Sequence, residues 1–494
     1  MIFVDKNKSE KLFNITLIIF YLIYLSSIIL TDGYPVNNDI LYIFKISSLE
    51  GNSKFINGLY GPGYTYYSLI FSNSLTVLTF VLCLLIFTSG FLLSLILNNF
   101  SKNINYKEKA IIYLISFLFH LIIILSINFN HSEAIFLLLF YNGILTFVLG
   151  YYFKKNLLIY APGLLLLGIS ILFRQHGVIA LFFLYLFFII FETYYFDKKF
   201  IFSIKKYLIF GFILIGPLII AFTHLYMIDS IRMWQTSFRL HMIFFVDQWG
   251  DWRDLKYLLK EEDVKNFNIS KVEMNKIWTE FYNFSMYALK ILYPFLICFI
   301  VSFMISRKKI ILIALTFFLI FILLILPGFH KGYFPALFLC FISILLCLKE
   351  LSNKKISLFI ISIFLFGHLL YLTERYYENV VINYKVNKDI KTNIVPYLNK
   401  KNLKYENIFS DHLSFYSTKI DGDINKLCNW GGWFLMHPYL EDYYPREVIM
   451  GKNNKYCDVK VLITQDKKIF EEYKVRENIN FEFKTDLHYL LSVN

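Results

Sequence analysis

Long apolar runs dominate the chain, broken at intervals by clusters of Lys, Asn, Asp and Gly. Stretches such as NITLIIFYLIYLSSIIL (14–30) and ISLFIISIFLFGHLLYL (356–372) contain no Asp, Glu, Lys or Arg. As helices they are long enough to cross roughly 30 Å of hydrocarbon. Eleven spans are predicted, at about 11–30, 71–98, 110–128, 133–153, 157–173, 177–196, 207–227, 283–306, 308–327, 333–348 and 356–373. An interfacial helix near Pro62 is an alternative start for the second. The fold expected is an all-α polytopic membrane protein with a small α/β domain at its C-terminus. Residues 1–373 form the membrane domain, with large loops at 31–70 and 228–282, and residues 374–494 form the soluble domain.

Composition agrees. Of 494 residues, 57% are apolar, 20% aromatic and only 17% charged. The net charge of +13 would suit a nucleic-acid binder, but its placement points elsewhere. With the N-terminus in the cytoplasm, the inner connections hold eighteen Lys and Arg, and the short outer ones hold four: Lys45, Lys54, Arg174 and Lys331. That bias is the positive-inside rule, and it accounts for the basic balance without a polynucleotide. An odd number of spans puts the C-terminus outside. Segment 1–30 has no small-residue cleavage site and reads as a retained first span.

The outer side therefore carries the chain's polar mass. No GxxxxGK[ST] phosphate loop and no GxSxG occur, and the inner loops are too short for a nucleotide-binding domain. The 228–282 loop alternates aromatic and charged residues, and WRDLKYLLKEEDV within it reads as a surface helix. In the tail, CDVKVLIT reads as a strand, with turn signals at DGD, GKNN and HPYLEDYYP. Four of six cysteines (Cys83, Cys298, Cys340, Cys347) fall in spans as small hydrophobes. Cys428 and Cys457 lie in the tail, where an oxidising compartment permits a disulfide.

Several polar residues stand at outer ends of spans. Asp39, in NNDILYIF, suits a base or a metal ligand, or equally a helix N-cap; Asp32 lies closer to the span. LYGPGYTYY places Tyr60 and Tyr64 at headgroup level, as an aromatic belt or as walls for a sugar. Glu133, in the tiny NFNHSEAIF connection, is a second acid or a cap. With Asp39 it could divide the work of base and acceptor-orienting group, or share a divalent metal. Arg174, in ILFRQHGV, suits a phosphate, with snorkelling to lipid headgroups as the alternative. Arg232, Arg239, His241, His330 and Lys331 could join it in a positive zone. No metal motif of recognised spacing is present, so no cofactor is certain and a divalent metal stays open. The spans carry no string of acids, which favours surface chemistry over transport.

This layout resembles the multi-span glycosyltransferases of the C-type (GT-C) fold, which use polyprenyl-phosphate sugars. The matching pieces are Asp39 in the first outer loop, LYGPGYTYY leading into the second span, HSEA in the second outer loop, and a soluble C-terminal portion on the outer side. The resemblance implies that Asp39 is the base and Glu133 the second-loop acid. The paired acid often found beside the family's first-loop Asp is absent, because Asn38 and Ile40 flank Asp39. ILFRQHGV is similar to an FRQT segment of the eukaryotic glucosyltransferase that finishes the dolichol-linked oligosaccharide, with His176 in the Thr position. The implied activity is inverting transfer of a sugar to a glycan, lipid or protein acceptor, at a bacterial inner membrane. Arg174, His176, Arg232, Arg239 and Lys331 would face the phosphate. A polymerase or ligase using lipid-pyrophosphate glycans, and a non-enzymatic lipid or solute transporter, are the alternatives.

Overall fold

The computed structural model describes residues 8–31, 63, 66, 67, 70, 75–101, 106–128, 134–173, 181, 185, 200–227, 297, 300, 355–404, 407–410, 428–429, 460–465, 467–475 and 479–493. They form two compact units, and the first and last long helices each contribute residues to both.

The first unit is helical. Its elements are α1 (Lys8–Leu30), α2 (Leu75–Phe100), α3 (Tyr106–Asn128), α4 (Ala134–Val148), α5 (Leu157–Phe173), α6 (Phe200–Met227) and the first half of α7 (Lys355–Asp389). Among the described residues, five helices are long and apolar enough to cross a membrane: Lys8–Leu30, Thr79–Phe100, Glu108–Ile127, Ala134–Tyr151 and the one containing Leu358 onward. Two shorter apolar helices, Leu157–Phe173 and Leu208–His224, join them. The expected spans at 177–196, 283–306, 308–327 and 333–348 lie almost wholly outside the described residues.

Burial shows which helix is central. α1 buries Phe13, Leu17, Tyr24 and Ile28 on one face, while Leu12, Ile15, Ile19 and Ile23 are exposed on the other. An apolar residue that is exposed on a membrane helix faces lipid and costs nothing. α4 is apolar all round and buries thirteen of its fifteen residues, so it runs through the middle of the helical unit. Cys83 on α2 is buried with a free thiol, as a small hydrophobe should be.

α4 and α5 pack at backbone distance. A Cβ added to Gly163 would lie 2.5 Å from the Phe147 nitrogen and 2.8 Å from the Gly143 carbonyl. One added to Gly143 would lie 3.0 Å from the Gly163 carbonyl. Paired small residues give membrane helices their close van der Waals contact where no hydrophobic force drives association. The turn between them widens into a π turn (Leu149–Lys154), closed by Lys155 at φ 50°. Asn156 then caps α5 by accepting from the Leu158 amide at 2.9 Å. Phe147, Tyr151, Tyr160 and Phe210 pack edge to face or stacked around this end.

α7 is longer than its apolar stretch. The apolar pattern ends near Leu372, yet the helix continues through Glu374, Arg375 and Glu378 to Asp389. Beyond Asp389 come a π turn (Ile390–Ile394) and α8 (Val395–Lys400). The second unit explains the extension. Val386, Ile390, Ile394 and Leu398 form one buried stripe spaced by four, packed on Ile408, Val461, Ile463 and Leu490. In a regular helix four residues overshoot one turn by about 40°. The wider π turn absorbs that drift, and it falls just before Pro396, which has no N–H to continue the regular ladder. A Schellman ending follows: Leu403 N–H donates to the Leu398 carbonyl, Asn402 N–H donates to Asn399, and Asn402 takes φ 52°.

The second unit's sheet has strands β1 (Ile408–Ser410), β2 (Cys428–Asn429), β3 (Val461–Thr464), β4 (Ile479–Lys484) and β5 (Tyr489–Val493) in the order β2-β1-β3-β5-β4. β1 pairs parallel with β2 and β3, and the β3–β5 and β5–β4 pairs are antiparallel. β3, predicted within CDVKVLIT, is central and buried along its whole length. A short helix, α9 (Lys467–Lys474), packs Phe470 onto the Tyr489 ring at 4.3 Å. The proposed disulfide partner Cys457 lies outside the described residues.

The glycine contact can be tested directly. Gly163→Ala is expected to cost about 1–3 kcal/mol through overpacking against backbone. Gly216→Ala, where no atom of the described residues lies within 4 Å of the added carbon, should leave stability unchanged or raised. Thermal unfolding of both variants in detergent checks this.

Candidate functional site

The sequence-predicted residues Asp39, Tyr60, Tyr64, Glu133, Arg174, His176, Arg232, Arg239 and Lys331 all lie outside the described residues. The structure does describe the helix ends from which most of them spring. Thr31 closes α1, its hydroxyl donating to the Ser27 carbonyl at 3.0 Å, eight residues before Asp39. Glu133 immediately precedes Ala134 of α4, and Arg174 immediately follows Phe173 of α5. α6 ends at Met227, five residues before Arg232.

Two of these ends lie together. α4 and α5 are antiparallel, with Gly150 beside Tyr160, Phe147 beside Gly163 and Gly143 between Gly163 and Leu167. The same register carried along the pair brings Phe173 level with residues within a turn of Ala134. The chain therefore enters α4 and leaves α5 at one end of a tightly packed helix pair.

Two polar clusters escaped the sequence reading. The first lies in the helical unit, around the fully buried His120 of α3. The Tyr21 hydroxyl on α1 lies 3.1 Å from the Ile86 carbonyl, to which it donates, and 2.8 Å from His120 Nε2. His120 Nδ1 lies 3.1 Å from the Tyr141 hydroxyl. This chain, from Tyr141 through His120 and Tyr21 to a backbone carbonyl, links α4, α3, α1 and α2. Gly90 leaves room for the Tyr21 hydroxyl, which a Cβ there would overlap. Nearby, Asn142 donates to the Leu85 and Leu138 carbonyls at 2.9 and 2.8 Å, and Ser94 donates to Asn14 Oδ1 at 2.7 Å. The chain ends on a carbonyl rather than an open lone pair, so its role is to join helices. Its sequence signal was a histidine inside FLFHLIIIL, since an ionisable residue in a span needs a partner.

The second cluster lies in the second unit, beyond the apolar part of α7. Asp389 Oδ2 accepts from Thr485 Oγ1 at 2.5 Å and from His488 Nδ1 at 2.7 Å, and Oδ1 accepts from Asn393 Nδ2 at 2.6 Å. The Gln465 amide nitrogen lies 2.9 Å from His488 Nε2, on the side of the ring away from Asp389. Thr485 Oγ1 in turn accepts from the His488 amide at 2.9 Å, shaping the β4–β5 turn. Two residues earlier, Asn387 Nδ2 donates to the Thr31 carbonyl at 2.5 Å. Burial alone would raise the Asp389 carboxyl, but hydrogen bonds from Thr485, His488 and Asn393 outweigh it and hold it below its ordinary range. No sequence signal marked this cluster, whose members are up to 99 residues apart. Among the described residues no three His, Cys, Asp or Glu side chains stand together as a metal site.

Comparison with known proteins adds little. No family model matches the chain, and no curated protein matches it. Among solved structures, the chain is similar to the crystal structure of ArnT from Cupriavidus metallidurans in the apo state. That likeness has 10% identity and a TM-score of 0.48, over 96% of this chain and 97% of that one. It is too slight to assign a fold or a family.

The Asp389 cluster carries a pH-dependent prediction. Its lowered carboxyl contributes stability that is present in full above the ordinary value of 3.8 and is lost as pH falls through the lower folded value. Asp389→Asn is expected to cost about 1–3 kcal/mol at neutral pH. The gap to wild type should shrink as pH falls below 4, as measured by thermal unfolding across pH 2.5–7.

Proposed function

We propose that this chain is an inverting glycosyltransferase that moves a sugar from a polyprenyl-phosphate carrier to an acceptor hydroxyl outside a bacterial plasma membrane. The observation that supports it most is the shared end of α4 and α5. Glu133 and Arg174 are one peptide bond from Ala134 and Phe173, so the arrangement supports an acid and a guanidinium at one boundary of the helical unit.

The chemistry follows from the donor. Its isoprenoid tail stays in the bilayer, which explains why the transferase is a membrane protein. Asp39 accepts the proton of the acceptor hydroxyl as that oxygen attacks the anomeric carbon, and Glu133 orients the acceptor. The bond from the anomeric carbon to the phosphate oxygen breaks, and its electron pair leaves with the phosphate. That group departs as an anion and needs countercharge rather than a proton. Arg174 supplies it bidentately, assisted by His176, Arg232, Arg239 and Lys331. Tyr60 and Tyr64 wall the sugar. One displacement inverts the anomeric centre, and no step requires a metal.

Asp39→Asn at matched protein levels is expected to lower kcat at least ~100-fold, the scale of a lost general base. Arg174→Lys keeps the charge but loses the fork, and should lower kcat while leaving the acceptor KM unchanged. Steady-state transfer assays in proteoliposomes check both. Equal activity of Asp39→Asn and wild type would reduce Asp39 to a helix cap.

A further inference from the structure

Within the second unit, the last turn of α7 holds two otherwise separate pieces of chain. Asn387, itself buried, donates its side-chain amide to the carbonyl of Thr31, the residue that closes α1. Asp389, on the following residues of the same turn, holds the β4–β5 turn through Thr485 and His488. The carbonyls at a helix C-terminus lack partners within their own helix, and here one is satisfied from 356 residues away. The sheet itself is tied to that turn by the stripe Val386, Ile390, Ile394 and Leu398.

We propose that Asn387 is a positioning residue. It fixes the point from which the first outer loop departs and registers that point to the C-terminal sheet, giving the soluble domain a part in sugar transfer. This rests on the glycosyltransferase reading, because it is the Asp39 loop that begins at Thr31. Eight residues separate Thr31 from Asp39, at most about 27 Å of extended chain. In that reading the loop that bears the Asp39 carboxylate is rooted at Thr31, and small misplacements of a catalytic group are costly. Asn387 touches no reacting atom in this account. Asp389 and His488 act one step further back, by holding the turn on which Asn387 sits.

The test uses Asn387→Asp, which is nearly the same size but presents an oxygen to the Thr31 carbonyl. Two readouts are taken on the full chain: hydrogen–deuterium exchange by peptide, and transfer kinetics with a polyprenyl-phosphate sugar. Exchange is expected to quicken in peptides spanning the end of α1 and to stay unchanged in β3 and β5. The expected kinetic effect is a fall in kcat of about 10-fold with the carrier KM within twofold. Unchanged exchange at the end of α1 would overturn the proposal, as would altered exchange with undiminished kcat. Uniformly faster exchange throughout the sheet would also overturn it, showing a general structural role. If wild type transfers no sugar, or Asp39→Asn is fully active, the glycosyltransferase reading fails, and the exchange data still decide whether Asn387 holds the root of the loop.

Discussion

A polar group inside hydrocarbon has no water to turn to, so a partner within the protein stabilises it strongly. That constraint shapes the helical unit. Thr16, Thr88, Ser89 and Ser170 return their hydroxyls to carbonyls three or four residues earlier on their own helices. Asn142 and His120 reach across to other helices instead. Because a neutral His120 has two ring nitrogens and one proton, its two tyrosine partners take opposite roles. Apolar packing is tolerant of sliding; this chain is not, and it fixes the register of α1, α2, α3 and α4.

The same accounting continues in the second unit with different chemistry. There a carboxylate, nearly buried, is satisfied on both oxygens by Thr485, His488 and Asn393. The loss of one donor would leave a buried charge short of partners, which is more costly than never having placed it there. Asn387 extends the scheme to the end of α1. The end of α1 and the last turn of α7, 356 residues apart, thus meet through a hydrogen bond.

The legibility of each feature in the sequence follows its range along the chain. α5 was readable to its boundaries at 157–173, and α1 to within three residues, because an apolar run between polar clusters is local information. β3 was readable for the same reason. α7 was expected to stop at 373 with its apolar pattern, but it continues to Asp389 because its second half finds a sheet to pack on. The spacing of Val386, Ile390, Ile394 and Leu398 was visible, but without the sheet nothing said what it packed against. The Asp389–His488 and Thr31–Asn387 bonds join positions 99 and 356 residues apart, and no local pattern announces them. Asp39, Glu133 and Arg174 are proposed by the reverse logic, as polar residues that the apolar pattern leaves at span ends.

In the proposed reaction the carrier's sugar leaves its phosphate outside the membrane. The most direct measurement supplies a defined, radiolabelled polyprenyl-phosphate sugar to proteoliposomes containing the purified chain and a pool of acceptors. The account predicts that label moves to an acceptor, that free polyprenyl phosphate appears in equal amount, and that the product has the opposite anomeric configuration. Carrier that crosses the bilayer intact, with no polyprenyl phosphate released, would contradict it and make the protein a transporter.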